Sequence, residues 1–326
     1  MSIQSFHRFL SLLIGLVWAT LALAREPNVL YSPEQLQLRM KAAAEEMSDA
    51  LRLSRAAHIR RVGTIDSDID PNYTGLIGPD DTPIVSTLGQ LSAKRTACVP
   101  DFAALITRWL YEAGVQPGDR IAIIMTGSFP GFNIASICAA RAIEAVPVVQ
   151  LSLGASEWGM TEPNFTMLDL YEELRQKIHG WPELELVTYG GGGDRALGMS
   201  PGGKKALDRA MQRNFQKPLV TKSLHAQIQQ RIALLDEAGP YRAIIFIGGN
   251  IAALGTEETK EVGAGLLPRD TKLNHKKQSM MGEYLHRGTP VIYLHWTEHL
   301  AYKWDIPFDP EPLPEPGSIR KIYAIQ

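Results

Sequence analysis

"DRIAIIMTGSFPGFNIASICAARAIEAVPVVQLS", residues 119–152, decides the fold. It opens with one apolar run, residues 121–125, and closes with another, residues 146–149. Both runs are short, rich in β-branched side chains and continuous rather than alternating. That is the pattern of strands buried on both faces. The stretch between them, "GFNIASICAARAIEA", has the length and small-residue content of a helix packed on a sheet. Two such strands joined by a helix make a right-handed parallel unit. The turn "TGSFPGFN", residues 126–133, sits where the first strand stops and the helix starts.

Working outward, the alternation continues. A helix "PDFAALITRWLYEAG" precedes the unit; strands "LELVTYG", "YRAIIFIGG" and "TPVIYLHW" follow it. Helices "TMLDLYEELRQKI", "PGGKKALDRAMQR", "SLHAQIQQRIALLDE" and the weaker "KQSMMGEYLHR" lie between them. The expected architecture over residues 101–305 is α/β, with a doubly wound, mostly parallel, Rossmann-like sheet. Residues 32–62 read as one long amphipathic helix. Ser32 is its cap, Pro33 lies in the first turn, and Gln35 stands at the capping-box position. Leu36, Met40, Ala44 and Met47 form its apolar stripe, which makes it a stalk or a helix laid on the main domain. Residues 63–100 are turn-rich and read as an ordered polar loop covering a site. Residues 306–326 form a Pro-rich arm with "IRKIYAI" as a final edge strand.

The first 24 residues read differently. Arg8 precedes the uncharged run "FLSLLIGLVWATLALA", and Ala22-Leu23-Ala24 has the form of a signal-peptidase site. A cleaved signal peptide and an uncleaved anchor both fit; either places the rest of the chain outside the cytoplasmic membrane. The chain of 326 residues carries a formal net charge of −2, which argues against a nucleic-acid partner. Its two cysteines, Cys98 and Cys138, have no metal-site or redox-motif neighbours, and a free buried thiol suits Cys138 better than a disulfide. Asp66, Asp68 and Asp70 imitate a calcium loop, but Pro71 and Ile77 stand where glycine and glutamate are needed. His295 and His299 have helical zinc spacing without the H-E-x-x-H pattern. No metal or cofactor is expected.

Chemistry in a parallel sheet gathers at the carboxyl ends of the strands. Here those ends read "TGSFPGFN", "SLGASEWGMTEPN", "YGGGGDRALGMSPGG", "IGGNIAALG" and "HWTEH", and most are rich in Gly, Ser, Asn or Asp. The ligand-binding candidates are Thr126, Gly127, Asn133, Gly191, Gly192, Gly249 and Asn250. Glycines there let backbone N–H groups turn toward a ligand. Neither a phosphate-binding P-loop nor a dinucleotide fingerprint is present. Three roles for Ser128 stand side by side: helix cap, nucleophile, or ligand hydrogen bond. A nucleophile needs a base, for which His295, His299 and Asp194 are available. Asp194, after four glycines, reads as a base, a cation ligand or a partner for a substrate amine. The adjacent cations Lys94 and Arg95 are either a solvated face or a carboxylate-recognition pair.

Taken together, "TGLIGPDDTPIVSTLGQLSAKRTACVPDFAAL", "TGSFPGFNIA", "GASEWGMTEPNFTMLD", "GGGGDRALG" and "IGGNIAALG", behind an apolar N-terminus, resemble the poly-γ-glutamate system protein family, its W component. The resemblance implies a role in making, exporting or processing the polymer, with the polymer, the membrane-bound synthase and the inner membrane as partners. It brings no established reaction. Three functions follow as expectations. The first is an extracytoplasmic accessory protein that binds the anionic polymer or another carboxylate-bearing ligand. The second is a serine-dependent hydrolase or transferase acting on γ-glutamyl amide bonds. The third is a scaffold for the synthase.

Overall fold

Ser32 opens the ordered architecture with the expected reciprocal cap. Its hydroxyl accepts from the Gln35 amide at 3.2 Å, and Gln35 Oε1 accepts from the Ser32 amide at 2.9 Å. This is seen in a computed structural model that describes residues 31–255, 262–271, 273 and 279–325. The expected signal or anchor at residues 1–24 lies outside the described residues. No helix among the described residues is long and apolar enough to cross a membrane.

In chain order the elements are α1 (Pro33–Arg61), β1 (Val85–Thr87), α2 (Leu91–Thr96), α3 (Asp101–Glu112), β2 (Arg120–Thr126), α4 (Pro130–Ala142), β3 (Val146–Ser152), β4 (Ala155–Ser156), β5 (Thr161–Glu162), β6 (Phe165–Thr166) and α5 (Met167–Lys177). Then follow β7 (Leu184–Thr188), α6 (Pro201–Arg213), α7 (Leu224–Ala238), β8 (Ala243–Ile247), α8 (Ile251–Leu254), β9 (Gly265–Leu266), α9 (Met280–His286), β10 (Val291–Leu294), α10 (Thr297–Trp304) and α11 (Arg320–Tyr323). The main sheet has six strands in the order β7-β3-β2-β8-β10-β9. All are parallel except β9, which runs antiparallel to β10. The architecture is therefore α/β with a mostly parallel mixed sheet. From β2 the chain builds outward to β3 and β7, then returns to lay β8 on the other side of β2. The strand order reverses between β2 and β8, and the crevice at that reversal opens beyond their carboxyl ends.

Alternation along β2 separates two cores. Ile121, Ile123 and Met125 join the cluster formed with α1, α3, α4 and α5; Ala122 and Ile124 join the cluster with α7, α8 and α9. Each fully buried isoleucine contributes about 1.5–3 kcal/mol of transfer free energy, so both faces of the strand are held. The stripe Leu36, Met40, Ala44 and Met47 is buried, which lays α1 against the domain rather than leaving it as a stalk. Cys98 and Cys138 are free and buried, and burial pushes both thiols up.

The C-terminal arm corrects the expected edge strand. Residues 320–323 form the single-turn helix α11. Ile319 and Ile322 are the buried pair, and a spacing of three suits a helical turn rather than the alternation of a strand. The arm is tied down by Asp101, which accepts from the amides of Gly317 at 2.7 Å and Ile319 at 3.0 Å, and from the Tyr323 hydroxyl at 2.9 Å.

Candidate functional site

A cavity of about 720 Å³ lies at the reversal of strand order. That is ample for a small ligand. The end of β2 supplies Thr126, Ser128 and Phe129; β3 supplies Ser152; the following bridge strand β4 supplies Ser156. The loop after β7 supplies Gly190, Gly191 and Gly192, the end of β8 supplies Gly249 and Asn250, and β10 leads to His295, Trp296 and Thr297. Residues 86–90 and Lys94 of the covering segment close the remaining side. The described residues lining the cavity include one lysine and no carboxylate.

Several expected site residues sit elsewhere, each for a physical reason. Arg95 does not line the cavity. Its guanidinium donates to the carbonyls of Asp68 and Ile69 and pairs with Asp309 at 3.3 Å, so it fastens the covering segment to the arm. Asn133 is buried behind the wall, where its Nδ2 donates to the Thr126 carbonyl at 2.7 Å and fixes the strand-to-helix turn. Gly127 is a packing position: a Cβ there would stand 2.4 Å from the Leu153 carbonyl oxygen. Asp194 is fully buried and pairs with the fully buried Arg231 at 3.0 Å. It also accepts from Thr188 at 2.7 Å and from Ser152 at 3.1 Å. With positive φ at Gly190, Gly191, Gly193 and Asp194, the glycines let the loop curl until the carboxylate reaches this network. Asp194 therefore shapes the cavity from behind; it is not in position to act as a base on a ligand.

Ser128 is not the cap of α4. The cap position belongs to Phe129, which makes no side-chain cap bond. Ser128 Oγ instead accepts from the Ser156 amide at 2.9 Å and from the Thr126 hydroxyl at 3.2 Å. It holds β4 against the turn. Asn250 caps α8, accepting from the Ala252 amide at 2.8 Å, and its Nδ2 donates to Ser152 Oγ. Among the described residues, no group of three or more His, Cys, Asp or Glu side chains is arranged to hold a metal. Asp70 of the imitation calcium loop is buried and accepts from the Gly75 amide at 2.7 Å.

Lys94 stands on the cavity wall. Only 3% exposed, it lies over the Phe129 ring with Nζ 3.6 Å from the centroid. Its Nζ donates to Ser156 Oγ at 2.8 Å. Burial lowers its pKa to about 7, and the Glu157 charge opposes that shift. His295, edge-on to Phe129, is lowered to about 4 by burial and by the Lys94 charge, so it is neutral at pH 7. Ser156 was not singled out in the sequence although it lies in the strand-end stretch "SLGASEWGMTEPN", because nothing local marks it; only the fold returns it to Lys94, 62 positions earlier in the chain.

The buried lysine has a stability consequence. Its folded-state value near 7 lies below 10.5, the ordinary value, so the unfolded chain holds the extra proton between those limits. Stability then rises as pH rises through that window. At pH 7, Lys94→Met is expected to stabilise the protein by about 1–3 kcal/mol after the lost hydrogen bond is subtracted. The gain should vanish above about pH 10.5, where both states hold a neutral amine. Denaturant unfolding of both proteins across pH 7–11 measures this, and a variant less stable at pH 7 would show that the buried ammonium is well solvated.

No protein-family model matches the chain, and it has no match among curated proteins or solved structures.

Proposed function

We propose that the chain is a serine-dependent acyl-transfer enzyme acting on γ-glutamyl amide bonds, with Ser156 as nucleophile and Lys94 as its base. One observation carries the reading: a buried lysine amine within 2.8 Å of a serine hydroxyl, on the wall of a cavity at the strand-order reversal. In its neutral form the amine takes the hydroxyl proton as Oγ attacks the γ-carbonyl carbon. The protonated amine then returns that proton to the leaving nitrogen as the C–N bond breaks. Water completes hydrolysis of the acyl-serine, or an acceptor amine completes transfer. Ser–Lys pairs are a recurrent form of nucleophile activation. The parallel-strand order supports the Rossmann-like reading of the fold. The strand-end blocks that resemble the W component support a place in the poly-γ-glutamate system, outside the cytoplasmic membrane and beside the synthase.

A second reading, binding of a carboxylate-bearing ligand without turnover, is favoured by the face of Phe129 against Lys94 Nζ, which stabilises the ammonium. With Arg95 turned away, a single cation faces the cavity among its described lining residues. It would read one carboxylate, not a long polyanion.

The two readings have opposite pH signs. The base must be neutral, so kcat/KM for a γ-glutamyl anilide should rise with pH through about 7 and then level off. Carboxylate binding needs the ammonium, so affinity would fall as pH rises through the same value. Anilide turnover measured from pH 5.5 to 9 separates them. No turnover, with ligand affinity falling across that range, would sink the acyl-transfer reading.

A further inference from the structure

We infer that Glu157 is the positioning residue of the Lys94–Ser156 pair: it latches the turn before α2 to β4 and so holds the amine on the serine. The catalytic meaning of that hold rests on the acyl-transfer reading above; the latch itself rests on geometry.

Lys94 lies on α2, a helix of six residues, and Ser156 on β4, a strand of two. Elements that short do not fix their own place, so the fastenings around them decide where the amine stands. The far end of α2 is tied to the C-terminal arm: Arg95 pairs with Asp309, and Thr96 Oγ1 accepts from the Asp309 amide at 2.8 Å. The near end is tied by Glu157, the residue after the nucleophile. Its amide donates to the Thr87 carbonyl at 3.0 Å, and its Oε2 accepts from the Gly89 amide at 2.9 Å. Among the described residues, no other hydrogen bond joins residues 88–93 to another part of the chain. The turn needs such a tie, because Leu88 is 83% exposed and Gln90, the cap residue of α2, makes no side-chain cap bond. The fit is close as well. A Cβ at Gly89 would stand 2.4 Å from the Glu157 carbonyl oxygen, and β1 pairs with β4 so that Thr87 lies opposite Ser156.

The latch also brings a charge to the amine. The Glu157 carboxylate favours the Lys94 ammonium and so opposes the effect of burial. The other groups about the amine are the Phe129 ring, the Ser156 hydroxyl and His295, which is neutral at pH 7. Removing the Glu157 charge lowers the pH at which the amine gives up its proton. Removing its hydrogen bond frees the turn. Glu157→Gln does only the first, because its amide oxygen still accepts from the Gly89 amide. Glu157→Ala does both.

The test compares the parent and both variants as full chains. The Lys94 Cε resonance, assigned by its absence in Lys94→Met, is titrated by NMR from pH 5.5 to 10. Exchange of the Gly89 amide hydrogen is followed in the same proteins, and kcat/KM for a γ-glutamyl anilide is measured on the high-pH plateau. The titration midpoint should fall from about 7 to about 6 in both variants. Gly89 exchange should quicken about tenfold in Glu157→Ala and stay near the parent's in Glu157→Gln. Plateau kcat/KM should fall about tenfold in Glu157→Ala, and Glu157→Gln should recover most of that loss. An unmoved midpoint in Glu157→Gln overturns the inference. So does Gly89 exchange in Glu157→Ala like the parent's, or a plateau that falls equally in both variants or in neither. A parent with no turnover at any pH, whose variants still show the exchange and midpoint changes, would keep the latch and refute the acyl-transfer reading instead.

Discussion

Asp194→Ala is expected to destabilise the fold by about 3–5 kcal/mol, because removing one member of a buried ion pair strands the other. The stranded group would be Arg231, which has no solvent exposure and already carries one unpartnered nitrogen. The Thr188 and Ser152 hydroxyls lose their shared acceptor in the same step. The effect reaches the cavity because Ser152 lines it and also takes donors from Arg231, at 3.0 Å, and from Asn250. The network therefore ties the glycine loop to the end of β8. Urea unfolding gives the number. Adding Arg231→Met to Asp194→Ala should recover much of the loss, since an apolar replacement leaves no buried charge unpaired. A single-variant loss below about 1 kcal/mol would mean that Arg231 finds water or another acceptor.

Ser156→Ala is expected to lower kcat for a γ-glutamyl anilide by about 10³-fold or more, the scale of losing a nucleophile while binding and the rest of the site remain. Its stability should also fall, by about 1–3 kcal/mol, because the buried Lys94 amine loses its hydrogen-bond acceptor. Ser128→Ala should differ in turnover. It removes the acceptor of the Ser156 amide and costs about 1–3 kcal/mol, yet leaves the Lys94–Ser156 pair in place and retains turnover. The contrast separates the serine that holds the turn from the serine that reacts.

How much of this was legible in the sequence follows from the range of the forces involved. The sheet was readable because burial on both faces writes itself into contiguous residues, as in Ile121, Ile123 and Met125 toward one core and Ala122 and Ile124 toward the other. The cap at Ser32 was readable because its partners lie within three residues. Strand ends are predictable once strands are, so Thr126, Ser128, Gly191, Gly192, Gly249 and Asn250 were found at the cavity. Side-chain direction was not legible. Lys94 and Arg95 are neighbours on one short helix, about 100° apart around its axis, and only the first faces the cavity. Asp194 looked available because glycines precede it, but those glycines curl it inward onto Arg231, 37 residues later. The tail was misread because two isoleucines three apart had to be chosen as strand or turn with no view of the surface beneath them.

The central claim is that Lys94 activates Ser156. Its most direct measurement is covalent trapping: the full chain is incubated at pH 7.5 with a fluorophosphonate or an activated γ-glutamyl ester, digested, and mapped by mass spectrometry. One adduct is expected, on the peptide containing Ser156 and localised to its Oγ, strongly reduced in Lys94→Met and absent in Ser156→Ala. An adduct on Ser128, no adduct at all, or equal labelling of Ser156 with and without Lys94 would contradict it.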